Sequence, residues 1–155
     1  MTGSIEQRLA EKGIKMPSVA PAAANYLPFT RRRALITISG QLPRTDEGLI
    51  AGTLGNGTSI DRGVAAAQQC AVAILAGLNE AIEGDLDRLE GCVQLCGFVQ
   101  SAPGFTEHST VINGASDLIA TVLGESGRHA RAAVGVSSLP FGVAVEVSAQ
   151  FMLRA

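Results

Sequence analysis

The sharpest pattern in the chain lies near its C-terminus. From Val143 to Leu153, the residues Val143, Val145, Val147, Ala149, Phe151 and Leu153 alternate with Ala144, Glu146, Ser148 and Gln150, the period-two signature of a strand with one buried face. Just upstream, Ala132 to Val136 is small and apolar, and Ser138-Leu139-Pro140-Phe141-Gly142 carries turn residues. The two runs therefore read as a hairpin. Between Val64 and Ile82 the spacing changes: Val64, Ala67, Ala71, Ile74, Leu78 and Ile82 recur every three or four positions. This predicts a helix capped by Asp61, running to about Glu83 and ended by Gly84. Val111, Ala115, Leu118 and Val122 repeat that pattern for a second helix from about Thr106 to Leu123, stopped by Gly124. Gly114 inside it costs helix propensity and reads as a close-packing position. Ala34 to Gly40 and Leu89 to Gln100 are two further strands. In the second of these, Cys92, Gln94 and Cys96 are assigned to one face, with Val93, Leu95 and Val99 on the other. Leu49 to Gly52 is expected to pair with the first across a turn at Arg44 to Gly48, and the glycine-rich stretch from Thr53 to Ile60 is a loop. Ile5 and Leu9 mark a short N-terminal helix ended by Gly13, followed by an extended segment, Met16 to Ala24, containing Pro17 and Pro21. The economical assembly is α+β: a mixed β-sheet packed on one face by two main helices, with an extra N-terminal helix. Residues 1–24 form the N-terminal helix and extended segment, and residues 25–155 a single domain.

Composition narrows the class. The chain has 155 residues, 46% hydrophobic and 4% aromatic with no Trp, so its core must be built from Ala, Val, Ile and Leu. The formal net charge is −2, which gives no general pull towards nucleic acid or anionic membrane. The basic run Arg31-Arg32-Arg33 precedes a strand and fits a solvated edge or turn, with only Tyr26 and Phe29 nearby as stacking residues. Three cysteines without a signal peptide suit a reducing cytoplasm. No apolar run approaches membrane-spanning length.

Few residues carry chemistry. Cys92 and Cys96 would lie about 13 Å apart along a strand, too far to share a metal. His108 and His129 have no ligand cluster around them, so no metal site is expected. No P-loop follows the glycines at 52, 55 and 57, there is no Gly-x-Ser-x-Gly elbow, and no cofactor motif is present. What remains is Arg131 and Glu146, with His129 two residues before the arginine. If Ser138 to Phe141 forms a four-residue loop, Arg131 and Glu146 become diagonal neighbours on one face of the hairpin; a loop one residue longer or shorter would separate them. Such a pair is either a surface ion pair of little energetic weight or a site. In the second case arginine would grip a carboxylate, Glu146 would place a water, and His129 would titrate near neutrality.

Arg131, the small apolar strand after it, Leu139-Pro140 and Val145-Glu146-Val147 together resemble the C-terminal signature of the Rid/YjgF family, also labelled endoribonuclease L-PSP. Ile36-Thr37-Ile38-Ser39-Gly40-Gln41-Leu42-Pro43 resembles that family's first hairpin, Tyr26 its N-terminal tyrosine, and Gly84-Asp85-Leu86-Asp87 the approach to its third strand. The resemblance implies a chorismate-mutase-like fold, a homotrimer with intersubunit clefts, and hydrolysis of reactive enamines or imines to 2-oxo acids and ammonia without a cofactor. It assigns the substrate carboxylate to Arg131 and the attacking water to Glu146, with Tyr26, His129 and Ala133 lining the cleft. This sequence departs from the family pattern at two of these positions: Ala133 stands where many deaminases have cysteine, and His129 where proline is common. His108, Asn113 and Ser116 could add polar groups to a different cleft or simply face solvent. A non-catalytic trimer that binds small carboxylates is the alternative. Ribonuclease activity is disfavoured by the acidic charge balance and the missing His/Lys set.

Overall fold

The computed structural model describes residues 3–21 and 24–155; part of the extended segment expected at Met16 to Ala24, namely positions 22 and 23, lies outside them. The chain begins with α1 (Ile5–Ala10), capped by Ser4, whose hydroxyl accepts from the Gln7 amide at 3.1 Å. Two strands follow, β1 (Phe29–Arg32) and β2 (Leu35–Gln41). Two small ladders come next: β3 (Arg44–Thr45) with β4 (Gly48–Leu49), and β5 (Thr53–Leu54) with β6 (Gly57–Thr58). The remainder is α2 (Ile60–Ala81), β7 (Leu89–Gln100), α3 (His108–Leu123), β8 (Ala130–Val136) and β9 (Val145–Leu153).

The main sheet has five strands in the order β1-β2-β9-β7-β8. Its one parallel pair is β7 with β8, joined by the crossover helix α3 as a parallel connection requires. The core lies between one face of this sheet and the helices. Ile36 and Ile38 of β2, Leu95 and Val99 of β7, and Val145, Val147 and Phe151 of β9 meet Ala67, Ala71, Ile74 and Leu78 of α2 and Ile112 and Ala115 of α3, all buried. Ile5 and Leu9 of α1 are fully buried in the same cluster, and Arg8 donates to the Val122 carbonyl at 2.7 Å. Small residues let the layers close. A Cβ on Gly114 would run into the Val64 carbonyl of α2, so the expected close packing at that glycine is realised.

Four local expectations are corrected. First, β8 and β9 do not form a hairpin, because β7 lies between them. The helix-facing residues of β9 are large and apolar and claim the centre of the sheet, whereas β8 offers Arg131, Ala133 and Gly135 and serves at the edge under α3. Second, the partner of β2 in the first hairpin is β1, through a turn in which Arg33 takes a left-handed φ of 56°. Leu49 instead pairs with Arg44. The arginine run does occupy an exposed edge and turn, as its charge suggested. Third, the α2 cap is Ser59, whose hydroxyl accepts from the Arg62 amide at 3.1 Å; Asp61 lies inside the first turn. Fourth, the register of β7 slips between Cys92 and Gln94. That bulge turns Cys92 into the core and leaves Val93 exposed, with Gln94 and Cys96 on the open face.

Candidate functional site

The edge where β8 lies under α3 gathers a connected set of polar groups. Ser109, Asn113 and Ser116 stand at i, i+4 and i+7 on α3 and so form one stripe along it, beside the apolar stripe that faces the core. On β8, Arg131 points at that stripe. Its Nη1 donates to Asn113 Oδ1 at 2.8 Å and to Ser116 Oγ at 3.1 Å, and its Nη2 donates to the Ser109 carbonyl at 3.3 Å. All three acceptors are neutral, so nothing within this network cancels the guanidinium charge. Three of five donors are used; the Nε–H and one Nη2–H remain on the edge suited to a bidentate carboxylate.

His129 lies one step along the same face. Its Nδ1 is 2.6 Å from the Gly127 carbonyl, and its Nε2 is 2.9 Å from Ser116 Oγ. A carbonyl can only accept, so Nδ1 carries a proton, and in that neutral tautomer Nε2 is the acceptor for the Ser116 hydroxyl. Both ring nitrogens are thus engaged by the chain itself. Ala133 is the next residue on this face, half-buried against the core and paired with Gly97.

Glu146 is elsewhere. Arg131 aligns with Leu95 of β7, whereas Glu146 aligns with Phe98. The odd offset along β7 puts the two side chains on opposite faces of the sheet, which corrects the same-face hairpin arrangement. Glu146 sits on the open face against Gly40, so close that a Cβ at position 40 would collide with its carboxylate. Partial burial pushes its pKa above the usual carboxylate range. Gly40 belongs to the irregular end of β2, and its neighbour Ser39 donates through Oγ to the Leu27 carbonyl at 2.6 Å. That bond ties the segment carrying Tyr26, itself 56% exposed, to the Glu146 side of the molecule.

The candidate residues therefore fall into two groups. Arg131, His129 and Ala133 share the helix-facing side of one sheet edge; Glu146 and the Tyr26 segment lie across the sheet, towards the β1 edge. Of the polar groups whose role the sequence left open, Asn113 and Ser116 join Arg131. His108 pairs instead with Ser101, 3.2 Å from its hydroxyl. The Ser109 carbonyl was not foreseen, and a backbone acceptor leaves no trace in residue type. A groove of about 540 Å³ is lined by Thr53, Asn56, Ser101, Phe105, His108 and Gly135 among others, and Arg131 is not one of its lining residues. Among the described residues, no group of three or more His, Cys, Asp or Glu is placed to hold a metal. Nor is any helix among them long and apolar enough to cross a membrane.

Strand order, one parallel pair and two covering helices define an α+β protein of the chorismate-mutase-like class. Residues 6–149 match the YjgF/chorismate mutase-like family, and the chain belongs to it. It is 47% identical over 150 residues to Protein TCP17 of Trypanosoma cruzi, spanning 96% of this chain and 93% of that relative. Its structure is similar to the crystal structure of the protein Atu1372 from Agrobacterium tumefaciens, with a TM-score of 0.89 and 47% identity over 97% of this chain and 94% of that one. It shares the fold of the YjgF gene product of E. coli at a TM-score of 0.61 and 22% identity, over 88% and 94% of the two chains.

Proposed function

We propose that the protein hydrolyses reactive 2-imino acids, or their enamine tautomers, to 2-oxo acids and ammonia, in a site completed by a second copy of the chain. The observation that carries this reading is the guanidinium of Arg131, held by three neutral oxygens with two donors to spare. Such a group attracts a carboxylate and fixes its plane. An imine carbon beside that carboxylate needs only a placed water and a proton carrier. Water adds to the carbon, the C–N bond breaks, and the nitrogen leaves as ammonia. Glu146 suits the role of water holder, because its raised pKa brings it nearer to the pH at which it must exchange protons.

Since Arg131 and Glu146 of one chain face opposite ways, no single copy offers both to one small substrate. An assembly such as the homotrimer, in which the open face of one copy meets the β8 edge of the next, would bring Glu146 and Tyr26 of one chain to Arg131, Asn113 and Ala133 of another. The test is complementation. Arg131→Ala and Glu146→Gln are each expected to be inactive in releasing ammonia from 2-iminopropionate. Unfolded and reassembled together, they should regain activity at about a quarter of the sites, the random share of interfaces with both residues intact in a cyclic assembly. No recovery on mixing, with wild-type protein active after the same treatment, rejects the shared site. Wild-type protein that binds pyruvate without accelerating ammonia release would leave the non-catalytic carboxylate-binding reading in its place.

A further inference from the structure

We infer that Ser116 and His129 are positioning residues that aim Arg131, and that they do so by fixing the direction in which the Ser116 hydroxyl donates. This inference rests on the carboxylate-binding role of Arg131 proposed above and adds the device that sets its geometry.

A serine hydroxyl has one proton to give and two lone pairs to offer. Left alone between an arginine and a histidine, it could turn either way. Here the polarity is set from outside. The Gly127 carbonyl accepts the Nδ1 proton of His129 at 2.6 Å, which in the neutral tautomer leaves Nε2 as a bare acceptor. The Ser116 proton goes there, across 2.9 Å, and the Ser116 oxygen turns its lone pairs to Nη1 of Arg131 at 3.1 Å. Asn113 takes the other Nη1 donor and the Ser109 carbonyl takes one on Nη2. The Nη1 end of the guanidinium is thereby saturated, and the Nε–Nη2 edge is the one presented.

The anchor is rigid. Gly127 is buried and presses so closely on α3 that a Cβ there would lie 2.5 Å from the Ile119 carbonyl oxygen and 2.8 Å from Ala120 Cα. The chain of contacts therefore starts on the α3 backbone, passes through Gly127 and His129 to Ser116 of α3, and runs on through Arg131 to Ser109 and Asn113 of the same helix. The charged side chains next to it in sequence are Asp117, which is exposed, and Glu125 and Arg128, which pair with each other at 3.7 Å. A closed circuit of this kind orders a long, rotamer-rich side chain before any ligand arrives, which is where preorganisation adds affinity.

The test uses 15N-labelled full-length protein, with the Arg131 guanidinium signals assigned by their loss in Arg131→Lys, and pyruvate binding followed by calorimetry. In the wild type, the bonds to Nη1 and Nη2 should slow rotation about the Cζ–Nη bonds and give separate Nη resonances. Ser116→Ala should merge them and weaken pyruvate binding by up to roughly tenfold, the cost of having to order one rotamer-rich side chain on binding. Ser116→Thr, which keeps the hydroxyl, should restore both. His129→Phe, which frees the Ser116 proton, should broaden the Nη signals with Ser116 still in place. Ser116→Ala with wild-type Nη signals and wild-type affinity would overturn the inference while leaving the carboxylate site standing. Wild-type protein that shows separate, Ser116-dependent Nη signals yet binds no pyruvate would support the clamp and reject the carboxylate role of Arg131 instead.

Discussion

Gly40 lies against the Glu146 carboxylate with no room for a methyl group between them. Its φ is not among the left-handed values of the chain, so the backbone does not demand glycine here; the neighbouring side chain does. Gly40→Ala would meet the far end of a flexible side chain, which can swing aside. The expected cost to stability is therefore below about 1 kcal/mol, at the low end of overpacking penalties. The carboxylate, however, would leave its present position. Ammonia release should fall nearly as far in Gly40→Ala as in Glu146→Gln, while urea midpoints of the wild type and Gly40→Ala stay close. Unchanged activity would show that the exact seat of Glu146 is unimportant.

Glu146 itself should reveal its burial through pH. Partial desolvation raises its pKa in the folded protein, so the folded state binds its proton more tightly than the unfolded state does. The associated stability is fully present below the unfolded carboxylate pKa and is lost as pH rises through the higher folded value. Glu146→Gln removes the ionisable group and with it that loss. The variant should melt above the wild type at pH 7 and converge with it as the pH falls towards 4. A neutral-pH melting temperature equal to or below that of the wild type would contradict the desolvated state of this carboxylate. A gain in stability paired with a loss of turnover is the pattern expected of a residue kept for function.

Gly114 faces a harder constraint, because its neighbour is backbone. Alanine would improve helix propensity by about 1 kcal/mol. Its Cβ would collide with the Val64 carbonyl, which cannot rotate away, and α2 and α3 would have to part. Overpacking of this kind costs about 1–3 kcal/mol, so Gly114→Ala should be a net destabiliser despite the better helix former. Equilibrium urea unfolding decides the sign.

Much of this architecture could be read from periodicity alone. The stripes of α2 and α3 and the alternation of β9 each identify a buried face, because burial of a whole side selects every second or every third-to-fourth residue. What periodicity did not convey was adjacency. Strands β8 and β9 follow one another through turn residues, and nothing local announces that β7 inserts between them; that depends on which strand best fills the centre of the sheet. The bulge after Cys92 was equally silent. One extra residue reversed the assignment of Cys92, which is buried and has its thiol pKa pushed up to about 12 by desolvation. β1 was hidden by its own arginines, whose charge reads as a turn and in fact protects an edge. For the site, Arg131 and Glu146 stood out by residue type, and Asn113 and Ser116 were visible as polar positions on a helix. Their convergence on Arg131, and the separation of Glu146 from it, required the sheet order.

The chemistry of Arg131 is best tested by the most conservative change. Arg131→Lys keeps the positive charge at the same sheet edge, so any effect of charge alone is preserved. Lysine has three donors around a single nitrogen and no planar edge. It cannot bond Asn113, Ser116 and the Ser109 carbonyl as the guanidinium does while presenting two parallel donors to a carboxylate. Losing a charge-assisted bond costs about 1.5–3 kcal/mol, so kcat/KM for 2-iminopropionate should drop roughly ten- to hundredfold. The thermal midpoint should change little, because Arg131 is only partly buried and its partners can turn to water. Steady-state kinetics beside a melting curve separates the outcomes: a fall in kcat/KM with an intact fold supports bidentate binding. Wild-type kinetics in the lysine variant would mean that charge suffices and that the planar fork has no part in recognition.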